Sequence, residues 1–419
     1  MPHDLLSRDA ASSAVADLVR ALHATPQRAV IEVAGAGTLA VSWLHAVGGS
    51  SRTVLEATDR YCHASLASLL GATPAHAVTG AVAAAMAEAA LRRACLLAGE
   101  ETPVIGAACT AALASDRPRR GADRAFVAVA GALGTAVSDL AFPAEGAAAA
   151  VAEGGGLQTR RAAARQQQED AVSTVLVAEL SRACGVDAAQ VSGHFAGPPA
   201  LEVYREFQPS EPFAALQSGL CGSVLLNAAA QVDTAPVDWR GKALLSGAYH
   251  PLHHGHLALG AAAATFLDRE VVYELPLVNA DKAPISARDA QQRSAQFAGR
   301  APVVLSRAPL FSDKAVLFPG AVFVVGADTA ERLVDQRFYG GSADSMDAAL
   351  ATLAERGCGL LVAGRRTAGR YLTLSDLVPS IPAARRGLFQ ELPEALFRSD
   401  ISSTELRSRR AAAASPACH

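Results

Sequence analysis

The chain has 419 residues, 51% of them apolar and 18% charged, and a formal net charge of −3. The length predicts two domains rather than one core, the apolar content argues against extensive disorder, and the charge leaves no general basic field. Nucleic acid is therefore not an expected partner, and any affinity for phosphate has to be local. The seven cysteines never form a CxxC pair, which opposes both a disulfide framework and a zinc knuckle.

The first segment, MPHDLLSRDAASSAVADLVRALHATP, mixes acids and bases at helical spacing and lacks the apolar core of a signal peptide, so the expected location is the cytoplasm. The uncharged run 33–51 is interrupted by glycines and by Thr38, Ser42 and His45; it reads as a glycine loop with a helix and not as a membrane span. Strands are predicted at RAVIEVAG, TPVIGAACT and RAFVAVAG, and helices at TLAVSWLHAV and at the alanine-rich HAVTGAVAAAMAEAALRRACLLAG. A glycine-rich break at EGGGLQ leads into a further amphipathic helix. These elements make residues 1–186 an α/β domain, and the proline-bearing stretch 187–240 reads as a connector.

From residue 241 the pattern changes. ALLSGAY, EVVYELPLV, APVVLSR, AVFVVGAD and GLLVAGR read as strands separated by helix-sized polar segments, the signature of a parallel sheet with crossover helices. The fold class expected is therefore α/β in two domains, with a Rossmann-like parallel sheet and flanking helices over 241–419. Ligands of such sheets sit outside the carboxyl ends of the strands.

Four of the chain's 11 histidines crowd into SGAYHPLHHGH. Pro251 and Gly255 interrupt that cluster and it holds no acid, so it lacks the H-E-x-x-H spacing of a zinc helix, and no resident protein-bound metal is expected. It does satisfy G-x-[FY]-x-P-x-H-x-G-H through Gly247, Tyr249, Pro251, His253, Gly255 and His256; six such matches arise by chance at about 10⁻⁸ per starting position. The glycine permits a turn, the proline stiffens the loop, and a helix beginning near His253 places two imidazoles on one face of its first turn. Ring N–H groups and unbonded amides at the positive end of the helix dipole then form a site for phosphate oxygens.

This motif resembles the signature of the HxGH nucleotidylyltransferase superfamily, which includes nicotinamide mononucleotide adenylyltransferases and small cytidylyltransferases. SDISSTELRSRR resembles the I-S-S-T-x-x-R element of the same superfamily, matched by Ile401, Ser402, Ser403, Thr404 and Arg407. Lys282, in NADKAPIS, falls where related proteins carry a basic residue that meets phosphate, and Gly326 and Asp328 are similar to a Gly-x-Asp turn lining a nucleotide cleft. Arg288 and Arg293 are weaker phosphate candidates. The resemblance implies His253, His256, Lys282 and Arg407 as catalytic residues. It implies Gly247, Ala248, Tyr249, Gly255, Gly326, Asp328 and residues 401–404 as nucleotide-binding. Mg²⁺ would accompany ATP as substrate. The implied reaction moves AMP from ATP to a mononucleotide such as nicotinamide or nicotinate mononucleotide and releases pyrophosphate. The alternatives are cytidylyl or adenylyl transfer to another phosphorylated small molecule, and a non-catalytic nucleotide sensor.

The first domain resembles the CinA C-terminal domain, whose active members deamidate nicotinamide mononucleotide. The counterparts are residues 48–51, Tyr61, residues 70–72 and residues 77–79. Where that family carries E-S-C-T-G-G this chain reads EVAGAGT, keeping Glu32 and placing Val33 at the serine position, with Thr38 nearby; Thr110 is retained but its glycine-rich surroundings are not. The expectation is a domain that keeps its fold, has lost deamidase activity, and serves in ligand binding or in homo-oligomer formation.

Overall fold

Short apolar runs alternating with helical stretches produce an α/β protein whose sheets are mixed. The computed structural model describes residues 3–115, 121–142, 157–188, 202–279, 283–367 and 370–398. The chain forms two compact units. The first runs to Phe213 and takes in Ala228–Gln231 and Ser294–Gly299; the second comprises Ala214–Asn227, Val232–Arg293 and the chain from Arg300 onward.

In the first unit the elements are α1 (His3–His23), β1 (Arg28–Ala34), α2 (Thr38–Ala46), β2 (Val54–Asp59), α3 (His63–Leu70), α4 (Gly80–Ala98), β3 (Val104–Ala112), β4 (Arg124–Gly131), β5 (Gly134–Ala141), α5 (Leu157–Ala183) and β6 (Glu202–Pro209). The sheet order is β2-β1-β3-β4-β5-β6, parallel from β2 to β3 and antiparallel from β3 to β6. Ala29, Ile31, Val33, Ala107, Cys109, Val127 and Val129 join a core with α1, α2 and α5. The alternate residues Ala108, Phe126, Ala128 and Ala130 join a second core with α3 and α4. Covering both faces explains why these strands read as continuous apolar runs and not as alternating ones.

The alanine-rich α4 starts at Thr79, whose side chain accepts from the Val82 N–H at 3.2 Å. It lies so close to β3 that a Cβ on Gly106 would stand 2.1 Å from the Ala87 carbonyl oxygen and 2.2 Å from the Leu91 nitrogen. Both are backbone atoms of a helix and cannot step aside.

The second unit contains β7 (Ser223–Leu226), β8 (Val232–Asp233), β9 (Lys242–Ser246), α6 (His254–Leu267), β10 (Glu270–Pro276), α7 (Ala287–Ala295), β11 (Val303–Ser306), α8 (Phe311–Leu317), β12 (Val322–Gly326), α9 (Ala327–Leu333), α10 (Ala343–Glu355), β13 (Gly359–Ala363), the hairpin β14 (Arg365–Thr367) and β15 (Arg370–Leu372), and β16 (Phe389–Leu392). Its main sheet runs β16-β13-β12-β9-β10-β11-β7-β8. The six strands from β16 to β11 are parallel, while β7 and β8 are antiparallel additions at one edge. Numbered along the chain, the parallel strands fall in the order 3-2-1-4-5-6, so the strand order reverses on either side of β9. Leu244, Val272, Val304, Phe323, Val325, Leu360 and Val362 share one buried face with residues of α8, α9 and α10.

Residues 187–240, read as a connector, contain the edge strand β6, which pairs with β5, and the short strand β7 with the edge strand β8 beside it. Edge strands with polar residues on one side carry little of the apolar signal that marks central strands. β2 and β5 were also missing from the predicted elements, because VLEATD and GTAVSDLA place acids and hydroxyls among few large apolar residues.

Replacing Gly106 with alanine is expected to destabilise the first unit by about 3 kcal/mol. Gly80→Ala, where the nearest atom to a new Cβ is 3.5 Å away, is expected to be neutral or slightly stabilising. Amide hydrogen exchange in β3 and α4 measures the difference.

Candidate functional site

The carboxyl ends of β9, β10, β12 and β13 open onto a cleft of about 690 Å³. Ser246, Pro276, Gly326 and Ala363 line it from the last positions of those strands. The cleft thus lies where the strand order reverses, the place at which doubly wound sheets leave room for a ligand.

The loop after β9 builds its centre. Tyr249 takes a left-handed backbone conformation, φ 45°, and the His250–Pro251 peptide bond is cis. The Tyr249 ring turns inward and is 1% exposed, with its hydroxyl donating to the Leu245 carbonyl. It meets the rings of His256 and Tyr273 edge-on, at centroid distances of 5.1 and 5.8 Å. A Cβ on Gly247 would lie 2.7 Å from Tyr249 Cε1, so this glycine makes room for the tyrosine that supports the loop from below.

His253 precedes the first turn of α6 in extended conformation, φ −141° and ψ 167°. Its backbone N–H donates to His256 Nδ1 at 3.3 Å, while the His256 N–H donates to the His253 carbonyl at 3.0 Å. The two rings stack at 3.7 Å with 24° between their planes. Since Nδ1 of His256 accepts, the neutral ring carries its proton on Nε2. Burial, followed by the charges of His253 and Arg365, pushes the His256 imidazole down to about 3. Burial, then Arg365 and His254, lowers His253 as well. Near pH 7 His256 is therefore a neutral N–H donor with a fixed tautomer.

Among the described residues, three cations line the same cleft, Arg293, Lys314 and Arg365, and no carboxylate does. Arg293, on α7, donates from Nη1 to the Ala248 carbonyl at 3.2 Å. Arg365, just past β13, has Nη1 3.5 Å from Asp328 Oδ1. Lys314, on α8, is buried, and its ammonium donates to Ser246 Oγ at 3.2 Å and to Glu274 Oε2.

Of the sequence-predicted residues, Gly247, Ala248, His253, Gly255, His256 and Gly326 line the cleft, as does the weaker candidate Arg293. Tyr249 lies beneath the loop, and Asp328 packs its carboxylate against Gly326, where a Cβ would stand 2.5 Å from Oδ1. Neither Asp328 nor Arg288 is a lining residue. Lys282, Ile401, Ser402, Ser403, Thr404 and Arg407 lie outside the described residues. The sequence reading missed Lys314 and Arg365. The only local signals were a lone lysine inside the apolar FSDKAVLF and an arginine at the end of a predicted strand. Among the described residues, no group of three or more His, Cys, Asp or Glu side chains could hold a metal ion.

In the first unit, the glycine loop after β1 ends at α2. Glu32 is buried and receives two bonds from Arg60, at 2.7 and 3.1 Å. Val33 is 2% exposed and packs in the core. The Thr38 hydroxyl donates to Glu169 Oε1 at 3.1 Å, and the same carboxylate receives the amides of Gly37 and Leu39 at 3.0 and 3.1 Å and the Ser173 hydroxyl at 3.1 Å. An internal carboxylate thus caps α2 and engages the threonine nearest the vacated serine position. Thr110 donates to the Ala77 carbonyl at 2.8 Å.

The depressed His256 value sets a sign for stability. The unfolded ring takes up a proton near pH 6.5 and the folded ring only near pH 3, so the unfolded state binds more protons between these values. The contribution is complete above about pH 6.5 and is lost as pH falls toward 3. A ring-resonance titration is expected to show His256 still neutral at about pH 5, and His256→Gln should flatten the acid limb of the stability profile. Titration of this ring near its ordinary value would contradict the assignment.

No family model matches the sequence, and no curated protein matches it. Solved structures similar to part of the chain include the competence/damage inducible protein CihA from Agrobacterium tumefaciens, with 19% identity over 38% of this chain and 94% of that one, at a TM-score of 0.25. A competence-damaged protein (CinA) superfamily protein from Klebsiella pneumoniae shows 15% identity over 41% of this chain and 98% of that one, at a TM-score of 0.30. Another CinA superfamily protein, from Escherichia coli, shows 16% identity over 37% and 84%, at a TM-score of 0.27.

Proposed function

We propose that the second unit is a Rossmann-like nucleotidyltransferase that moves AMP from ATP to a mononucleotide such as nicotinamide or nicotinate mononucleotide. The observation that carries this reading is the stacked His253–His256 pair at the start of α6, in a cleft whose described lining residues include Arg293, Lys314 and Arg365 and no carboxylate. An oxygen of the acceptor phosphate attacks the α-phosphorus of ATP, the bond to the bridging oxygen breaks, and pyrophosphate leaves. No covalent intermediate on the protein is needed, so the chain's task is to align two anions and neutralise the charge that builds between them.

Neutral His256 suits that task because a ring N–H stabilises a phosphate oxygen without a proton having to move. Arg365 and Arg293 supply positive charge from different elements. Mg²⁺ enters this proposal bound to the triphosphate, since the described residues offer no cluster to hold it. Lys282, Ile401, Ser402, Ser403, Thr404 and Arg407 remain assigned by resemblance alone, as further phosphate contacts. For the first unit we propose a role in ligand binding or in pairing two copies of the chain, without deamidation, because Val33 offers no nucleophile and Thr38 is held by Glu169.

Pyrophosphate release from ATP in the presence of nicotinamide mononucleotide is the test. His256→Ala is expected to lower kcat/KM by about 10² or more, and undiminished turnover would contradict the site. Activity with CTP in place of ATP would move the reading to cytidylyl transfer, and binding without pyrophosphate release would make the protein a sensor. The first unit is expected to release no ammonia from nicotinamide mononucleotide.

A further inference from the structure

A buried cation at the floor of the cleft has one donor to spare. The Lys314 side chain is 4% exposed and Glu274 only 1%. Glu274 receives the Lys314 ammonium on Oε2 and the Ser306 hydroxyl on Oε1, while its own backbone carbonyl accepts from the Gly247 N–H at 3.0 Å. Lys314 also donates to Ser246 Oγ at 3.2 Å. An ammonium carries three N–H donors, and these two bonds leave the third without a hydrogen-bond partner among the described residues. The ammonium also stands over the Phe311 ring, 5.2 Å from its centroid, and Lys314 lines the cleft.

Burying an ammonium is costly unless its bonds are completed. Glu274 offsets the charge and two donors are satisfied; the third has the Phe311 ring beside it and no acceptor among the described residues, and the cleft that Lys314 lines has room for one. The lining cations Arg293 and Arg365, with no carboxylate among the described lining residues, favour an anion as that acceptor. Arg365 stands at the end of β13, on one side of β9, whereas Lys314 follows β11 on the other. Leu277, Ile285, Pro309 and Phe311 give the second side a large share of apolar surface.

We propose that Lys314 is a specificity-determining residue that binds the phosphate of a phosphate-monoester acceptor on the β10–β11 side of the cleft, held in place by Glu274 and Ser246. This rests on the nucleotidyl-transfer reading for the word acceptor, but the binding itself does not depend on turnover. The ligand class is a phosphate monoester attached to a largely apolar or planar group.

The experiment is calorimetric titration of the full chain with ribose 5-phosphate and nicotinamide mononucleotide, with nicotinamide riboside as the phosphate-free control. Lys314→Met alone would strand a buried carboxylate, so it is combined with Glu274→Gln, which removes both charges and retains the shape of the carboxylate. The wild type is expected to bind both phosphate monoesters about tenfold or more tightly than the double variant, and the riboside is expected to show no such difference. Equal affinity of the wild type and the double variant for the phosphate monoesters would mean that Lys314 serves the ion pair alone, and would overturn the proposal. So would absence of phosphate-monoester binding by the wild type. A Lys314-dependent affinity without pyrophosphate release would sink nucleotidyl transfer and leave this assignment standing; pyrophosphate release without that dependence would do the reverse.

Discussion

Glu274 is a carboxylate almost without solvent contact, and the geometry of the second unit's cleft depends on how it is satisfied. A buried charge survives only with a counter-charge and filled lone pairs. Lys314 and Ser306 supply these, and the carbonyl of the same residue anchors the Gly247 N–H. One residue, through its side chain and its backbone carbonyl, therefore ties the ends of β9, β10 and β11 to α8, at the point where the histidine-bearing loop departs. Above that anchor the Tyr249 ring fills the space that a side chain at position 247 would otherwise occupy, and it meets His256 edge-on.

From this base the chemistry of the loop follows. The backbone of His253 fixes the tautomer of His256, and the stacked rings share a half-buried position in which both are held below the ordinary histidine range. A neutral donor beside permanent guanidinium charges divides the work sensibly. In the proposed transfer the arginines attract and neutralise, and the imidazole orients without a titration of its own near neutral pH. The first unit presents the opposite arrangement. There the amides at the start of α2, a place where helices often receive anions, are already bonded to Glu169 from the chain itself.

Much of this was legible in the sequence because it is local. The spacing from Gly247 to His256 encodes a turn and one helical turn, and the central strands announce themselves as apolar runs. What could not be read is long-range. Lys314 and Glu274 are 40 positions apart, and Glu169 lies 131 from Thr38, so no window of sequence contains either pair. Tyr249 shows a different limit. Its place in the motif suggested a ligand contact, whereas its ring is 1% exposed and supports the loop from beneath. Arg365 sat in plain view at the end of a predicted strand, but a strand-end arginine acquires meaning only when the topology brings β13 to the rim of the same cleft as β9.

Nucleotidyl transfer as proposed requires the stacked imidazoles to grip a polyphosphate. A crystal structure of the full chain with a non-hydrolysable ATP analogue tests it most directly. Phosphate oxygens are expected within hydrogen-bonding distance of His253 and of His256 Nε2, with Nδ1 of His256 still bonded to the His253 amide. An analogue bound elsewhere, or phosphates that touch neither ring, would contradict it.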